Sequence, residues 1–156
     1  MRKINEIIIH CSDTEQNENF KAADIDSWHR HRGFDCIGYH YVIDIDGKIE
    51  LGRKFGRPDS KVGAHCKNHN AHSIGVCYIG GKRYGKHFNT ITAAQIDSLY
   101  DFLLKLCVLY ELSYDSIKLH YEYNKNKVCP CFTRSWFDEI FKERIIKTLD
   151  SFKLSF

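Results

Sequence analysis

Three side chains that could form a hydrolytic zinc site are spread along the chain: His10, His120 and Cys129. Two imidazoles and one thiolate are ligands that favour zinc over magnesium or calcium. Three protein ligands also leave one tetrahedral position open for the water that a hydrolytic zinc activates. The spacing alone leaves a second interpretation open, in which both histidines simply end buried strands and Cys129 is a small core residue.

Two further residues have the chemistry to assist such a metal. Tyr39 could donate a hydrogen bond to a developing oxyanion or move a proton, or it could be one residue of a half-buried strand. Lys127 lies two residues before Cys129 and could stabilise negative charge in a transition state. Both Lys127 and Lys125 could equally be solvated lysines of a polar loop.

A long polar segment between residues 52 and 73 contains candidate substrate-binding side chains. A loop of this length inside a compact domain is usually functional. The candidates for substrate binding are His65, Asn70, His72 and Ser73. The histidines of this segment could also be additional zinc ligands or ordinary polar loop residues. The closely spaced pair Cys129 and Cys131 matches structural zinc modules poorly, because no second pair accompanies it.

The elements that must position these residues follow from hydrophobic periodicity and from capping and turn signals. In chain order we predict a strand at Glu6–His10, a helix at Asp24–Arg32, a hairpin of Tyr39–Ile43 and Lys48–Leu51, a strand at Ile74–Ile79, a helix starting at the capping box of Thr92, a strand at Ile117–His120 and a helix at Arg134–Leu149. This order predicts an α/β (mixed α+β) fold with a central mixed sheet flanked by about three helices. We expect a single catalytic domain over residues 1–149 and a C-terminal tail over 150–156.

Composition excludes several other classes of protein. The chain has 156 residues, 43% of them hydrophobic, which suits one domain with a substantial core. Its net charge is only +3 and its basic residues form no cluster in the sequence, which argues against a nucleic-acid binder. No apolar stretch approaches the ~20 residues of a membrane span, and the N-terminal residues lack the pattern of a signal peptide. Without an export signal, the seven cysteines are expected to be reduced thiols and metal ligands.

A series of motifs in this sequence resembles one known family. The motifs are Ile7–Ser12, Ile37–Ile43, Leu51–Arg53, Val62–His65, Asn70–Gly81, His120 and Lys127–Pro130. Together they resemble the zinc-dependent N-acetylmuramoyl-L-alanine amidases of the phage-lysozyme type, the type 2 amidase family, which is related to peptidoglycan recognition proteins. The resemblance covers roughly residues 4 to 145.

The resemblance implies cleavage of the amide bond between N-acetylmuramic acid and the L-alanine of the stem peptide. It implies a single zinc ion with His10, His120 and Cys129 as ligands. The catalytic residues it implies are Tyr39 and Lys127. The substrate groove it implies is made by His65 and by the segment that contains Asn70, His72 and Ser73.

The sequence departs from the family pattern in two places. The segment from His120 to Cys129 is slightly longer, so Lys125 is an alternative to Lys127. Many relatives have Asp as the third ligand, whereas Cys129 and Cys131 both offer sulfur here. Cys129 is preferred because a Cys-Pro pair followed by an aromatic residue resembles the relatives that use a thiolate.

The leading hypothesis is a peptidoglycan hydrolase that acts as an endolysin, an autolysin or a delivered antibacterial effector. We expect a monomer that is made in the cytoplasm and acts on the cell wall after release or delivery, with no nucleic-acid partner and no membrane insertion. The alternative is a recognition domain that binds muropeptide without cutting it. A structural-zinc or nucleic-acid protein is a third and more distant hypothesis.

Overall fold

The computed structural model describes residues 2–53 and 60–154. Its strands are β1 (Glu6–Cys11), β2 (Thr14–Glu15), β3 (Tyr41–Ile43), β4 (Ile49–Leu51), β5 (Ser73–Tyr78), β6 (Gly81–Arg83), β7 (Lys86–His87) and β8 (Ile117–Leu119). Its helices are α1 (Ala22–His31), α2 (Ala93–Tyr110), α3 (His120–Tyr123) and α4 (Arg134–Leu154), with short 3-10 turns at Asn70–His72 and Tyr114–Ser116. Residues 54–59, part of the predicted polar loop, lie outside the described residues.

The central sheet has five strands in the order β4-β3-β5-β1-β8. Strand β1 is parallel to β5 on one side and to β8 on the other, and β4 is the antiparallel edge strand. Residues Ile7, Ile8 and Ile9 of β1 are fully buried, as expected for a strand covered on both faces. The prediction of a mixed sheet with flanking helices is therefore confirmed.

Helices cover both faces of this sheet. Helices α2 and α4 pack on one face around Leu99, Leu103 and Phe137, while α1 packs Ile25 on the other face. The predicted capping box begins α2: the Thr92 hydroxyl accepts a hydrogen bond from the backbone N–H of Gln95 at 3.1 Å. The Gln95 side chain in turn accepts one from the Thr92 N–H at 2.9 Å. None of the helices within the described ranges is long and apolar enough to cross a membrane.

Several elements differ from the sequence prediction. A second small sheet, in the order β2-β6-β7, was missed because strands of two or three polar residues have no readable periodicity. The predicted last strand ends one residue early, since the Glu122 carboxylate accepts from the Leu119 N–H at 2.7 Å and His120 begins α3. Helix α4 continues to Leu154, because no glycine or proline stops it at Leu149. Most of the predicted tail is therefore helical, and residues 155–156 lie outside the described part of the chain.

Candidate metal centre and active site

Three possible metal ligands meet at the end of the central sheet. Parallel pairing of Ile9 with Leu119 places the next residues, His10 and His120, side by side. Their ring centroids lie 4.4 Å apart, and His10 Nδ1 is 3.8 Å from Cys129 Sγ. One ligand atom from each of the three residues lies within 4.8 Å of the others. The structure thus brings together the three ligands that the sequence suggested.

The thiol of Cys129 is held in place by backbone hydrogen bonds. The Cys11 N–H donates to Cys129 Sγ at 3.2 Å, and the Tyr121 N–H donates to the Cys129 carbonyl at 3.0 Å. The alternative ligand Cys131 has its Sγ 3.6 Å from Cys11 Sγ instead. The geometry therefore brings Cys129 to the histidines.

The imidazoles of this cluster are kept neutral by their surroundings. Burial, together with nearby His65 and His120, lowers the pKa of His10 well below its ordinary value. Burial and the charge of Lys127 also lower the pKa of His120. A neutral imidazole has the free lone pair that a metal ligand needs. Two neutral imidazoles and a thiol with a backbone donor fit a tetrahedral zinc ion that keeps one position open.

A chain of hydrogen bonds extends from His10 away from the cluster. His10 Nε2 lies 2.9 Å from His65 Nδ1, and His65 Nε2 lies 3.3 Å from Ser73 Oγ. The Ser73 hydroxyl donates to the His69 carbonyl at 2.7 Å. Ser73 is fully buried and His65 is 9% exposed, so both belong to the interior of the domain.

None of the four predicted substrate-binding residues is among the described residues that line a cleft beside the possible metal ligands. His65 and Ser73 lie beneath His10, as described above. The Asn70 side chain accepts hydrogen bonds from the backbone N–H groups of His65 and Cys66, each at 2.9 Å, and so orders its own loop. His72 Nε2 lies 3.7 Å from a Glu6 carboxylate oxygen. These contacts lie within the domain, and the substrate-binding role of the four residues stays a prediction.

A cleft of about 390 Å³ opens beside the metal cluster. Its lining includes His120, Cys129, Tyr39 and Lys127, whereas Lys125 is not among the described lining residues. The Tyr39 ring centroid is 5.0 Å from that of His10. Burial, with a contribution from nearby thiols, raises the pKa of Tyr39 well above its ordinary value, so its hydroxyl stays protonated at neutral pH.

A second, larger cleft of about 830 Å³ adjoins the first. The two share Ser12, Asp13 and Arg32 in their linings, and Trp28 contributes an aromatic wall to the larger one. Sequence reasoning did not assign these residues to a site. The available signal was the helical spacing that puts Trp28 and Arg32 on one face of α1.

A second group of possible ligands lies at the other end of β1. Glu6 Oε2 is 3.2 Å from His69 Nδ1, and His72 approaches the other oxygen of the same carboxylate. The His69 ring also stacks on Tyr123 with centroids 3.6 Å apart. In these positions the three groups bind one another and order the turn before β5.

Comparisons with known proteins agree with this arrangement. The Amidase_2 family model, described as N-acetylmuramoyl-L-alanine amidase, matches residues 1–132. The endolysin of Escherichia phage T7 is 36% identical over 135 residues, which cover 85% of each chain. The endolysin of Klebsiella phage KP32 is 31% identical over 140 residues, which cover 88% of each chain.

Solved structures show the same fold. The N-acetylmuramoyl-L-alanine amidase LysC from Clostridium intestinale URNW aligns with a TM-score of 0.71 at 28% identity, covering 96% of this chain and 87% of that one. Drosophila PGRP-LB aligns with a TM-score of 0.67 at 22% identity, covering 83% and 76%, and supports the fold alone.

A mixed sheet that carries a His-His-Cys cluster beside an open cleft defines a class of hydrolase-like domains. Within that class, the chain belongs to the N-acetylmuramoyl-L-alanine amidase family, whose members are peptidoglycan hydrolases. The family assignment made from the sequence motifs is confirmed.

Proposed function

We propose that this amidase is zinc-dependent and cleaves the bond between the lactyl group of N-acetylmuramic acid and L-alanine. The observation that carries the proposal is the cluster of His10, His120 and Cys129, with ligand atoms within 4.8 Å, beside an open cleft. When bound, a zinc ion supplies a Lewis acid that lowers the pKa of a water ligand to about 7. Our proposal requires one such ion.

The protein's own groups prepare the site for that chemistry. His10 and His120 are neutral because burial lowers the pKa of each, so their lone pairs are available without loss of a proton. The Cys11 N–H donates a hydrogen bond to Cys129 Sγ and so holds the sulfur in position beside the histidines. The two imidazoles are therefore in the protonation state that a zinc ligand requires.

Tyr39 and Lys127 are the proposed catalytic residues. The protonated Tyr39 hydroxyl would donate a hydrogen bond to the oxyanion that forms at the lactyl carbonyl, and would help guide a proton to the leaving nitrogen. The Lys127 ammonium would add positive charge next to the same oxyanion. The shared lining of one cleft by Tyr39, Lys127 and His120 supports this division of roles.

The joined clefts are the proposed binding surface for the muropeptide. Arg32 lines both of them and offers a planar pair of donors to a carboxylate, such as those of a stem peptide. Trp28 offers an apolar face to the sugar or to peptide methyl groups. This surface is proposed beside the one predicted from His65, Asn70, His72 and Ser73, which stays a prediction.

The relatives named as endolysins support a role in cell-wall degradation after release or delivery of the protein. We retain action as a monomer, and a catalytic domain over residues 1–149, as parts of the proposal. The second candidate function is a recognition domain that holds muropeptide without cutting it. The presence of Cys129 beside both histidines favours catalysis over that alternative.

The experiment is incubation of the purified protein with peptidoglycan, with and without a zinc chelator, followed by mass spectrometry of the soluble products. We expect free stem peptides that begin with L-alanine, and their loss on chelation with recovery when zinc is restored. Intact peptidoglycan in the presence of zinc-loaded protein would contradict catalysis and favour recognition. Cleavage that survives complete removal of metal would contradict the zinc centre.

A further inference from the structure

The buried chain of side chains behind His10 has a fixed hydrogen-bond direction. A carbonyl oxygen only accepts, so the Ser73 hydroxyl gives its single proton to the His69 carbonyl, 2.7 Å away. Toward His65 the same oxygen must therefore accept. His65 Nε2, 3.3 Å from that oxygen, is then the nitrogen that carries the proton.

The same reasoning continues to His10. A neutral imidazole with its proton on Nε2 has an unprotonated Nδ1, so His65 Nδ1 is an acceptor. The atom 2.9 Å from it, His10 Nε2, is then the donor. His10 is left with its lone pair on Nδ1, the atom that lies 3.8 Å from Cys129 Sγ. The direction of the whole chain is thus set by a backbone carbonyl.

The position of the His65 ring is also fixed by the space around it. A Cβ atom on Gly75 would lie 2.6 Å from His65 Cγ, and one on Gly63 would lie 2.5 Å from its Cδ2. Both distances are shorter than any normal contact, so these two glycines leave room for the ring. The Asn70 side chain holds the His65 backbone N–H at 2.9 Å. His65 is therefore tightly packed.

We propose that His65 is a positioning residue, supported by Ser73, that holds His10 in the tautomer whose Nδ1 lone pair faces the metal cluster. The inference rests on the zinc centre proposed above. Ligating histidines generally use their second nitrogen to donate to an acceptor, and loss of that acceptor weakens metal binding. Here another buried histidine is the acceptor, and its own tautomer is set by Ser73.

The test is zinc affinity without substrate, measured by competition with a chromophoric chelator. His65→Leu removes the acceptor, while His65→Asn places an amide oxygen near the position of Nδ1 and His65→Gln places it near Nε2. The matched control is His40→Leu. It also removes a buried imidazole, whose Nδ1 accepts from the Gly75 N–H at 3.0 Å and which makes no hydrogen bond to a proposed zinc ligand within the described residues.

We expect His65→Leu and His65→Gln to weaken zinc binding about 10–100-fold, the range seen on loss of such partners. His65→Asn should recover most of the affinity, and His40→Leu should match the parent protein. The cobalt-substituted forms should show the same order in their thiolate-to-metal absorption. Should His65→Leu fail to fold, the contrast between the Asn and Gln variants decides the matter.

Equal zinc affinity in the parent and in His65→Leu would overturn the positioning role. So would an equal loss in the Asn, Gln and Leu variants, because a purely structural role does not distinguish where the amide oxygen lies. Both results would leave the zinc-dependent amidase intact. A parent protein that binds no zinc would instead contradict the proposed metal centre, and the positioning role with it.

Discussion

His10 Nε2 and His65 Nδ1 lie 2.9 Å apart in the interior of the domain, on the side of His10 away from Cys129. One ring nitrogen of His10, Nδ1, thus points to the possible metal ligands, and the other, Nε2, belongs to the buried hydrogen-bond chain. The relationship joins the stability of the fold to the chemistry of the site, because the same loop that packs against the sheet orients a ligand.

Replacement of a ligand should remove both metal and activity. His120→Ala is expected to reduce bound zinc from one equivalent to almost none and to abolish amide cleavage, because two ligands hold zinc poorly. Metal content by elemental analysis and product release from peptidoglycan measure the two effects. The control is His69→Ala, since His69 belongs to the separate group around Glu6. Full activity in His120→Ala would be incompatible with the assigned ligand set.

Tyr39→Phe should separate metal binding from turnover. The variant keeps the ring packed 5.0 Å from that of His10 but removes the hydroxyl. We expect unchanged zinc content and a fall in kcat of about 10²–10⁴-fold, the usual contribution of a positioned proton donor. Steady-state kinetics on a soluble muropeptide measure the change. Parent-like turnover would reduce Tyr39 to a packing residue.

The two lysines of the loop before Cys129 should differ. Lys127→Ala is expected to lower kcat by about 10²-fold, because it removes positive charge beside the oxyanion. Lys125→Ala is the matched control and should leave kcat unchanged, since of the two lysines Lys127 is the one among the described residues that line the cleft. The same kinetic assay compares them. The opposite ranking would transfer the role to Lys125.

Buried neutral histidines should make the fold sensitive to mild acid. Burial lowers the pKa of His40 to about 4, whereas the unfolded chain takes up that proton near pH 6.5. Between these values the unfolded state binds more protons, so stability falls as the pH decreases from 6.5 to 4. His40 alone should account for roughly 3 kcal/mol over that range.

Urea unfolding at a series of pH values, on metal-free protein, measures this effect. The His40→Leu variant should show a shallower decline of stability with decreasing pH than the parent, whatever its stability at neutral pH. An identical slope in the two proteins would mean that His40 takes up its proton equally in the folded and unfolded states.

Gly75→Ala should act on the metal through the His65 ring. The added methyl group would lie 2.6 Å from His65 Cγ and would displace it from His10. We expect weaker zinc binding than in Val76→Ala, a control that loses core packing at the next position of β5. Chelator competition compares the two variants. Equal zinc affinities would show that displacement of His65 has no effect on the ligand.

The cluster of possible metal ligands could be predicted because each ligand type and its position at the end of an element follow from the local sequence. The buried run before His10 predicted a strand, and Ile117–Leu119 predicted another. Their adjacency depends on the pairing of Ile9 with Leu119, which no local pattern reports. The family motifs supplied that relationship before the fold was known.

The proposed role of His65 could not be predicted in the same way. Its polar loop suggested contact with substrate, but its burial depends on space left by Gly75, a residue of a separate strand. The position of Arg32 and Trp28 in the wall of the larger cleft was not predicted, for a related reason. Their spacing places them on one helix face, but only the position of α1 beside β2 turns part of that face toward a cleft.

The order of strands across the central sheet has a consequence for synthesis. Strand β1 emerges from the ribosome first, yet it lies in the middle of the sheet between β5 and β8. Its apolar residues cannot be buried until both partner strands have been synthesised. Such long-range pairing is slow and leaves aggregation-prone apolar segments of the nascent chain exposed. The proposed zinc site cannot form until Cys129 has been translated, so the growing chain lacks the complete proposed hydrolytic centre until that point.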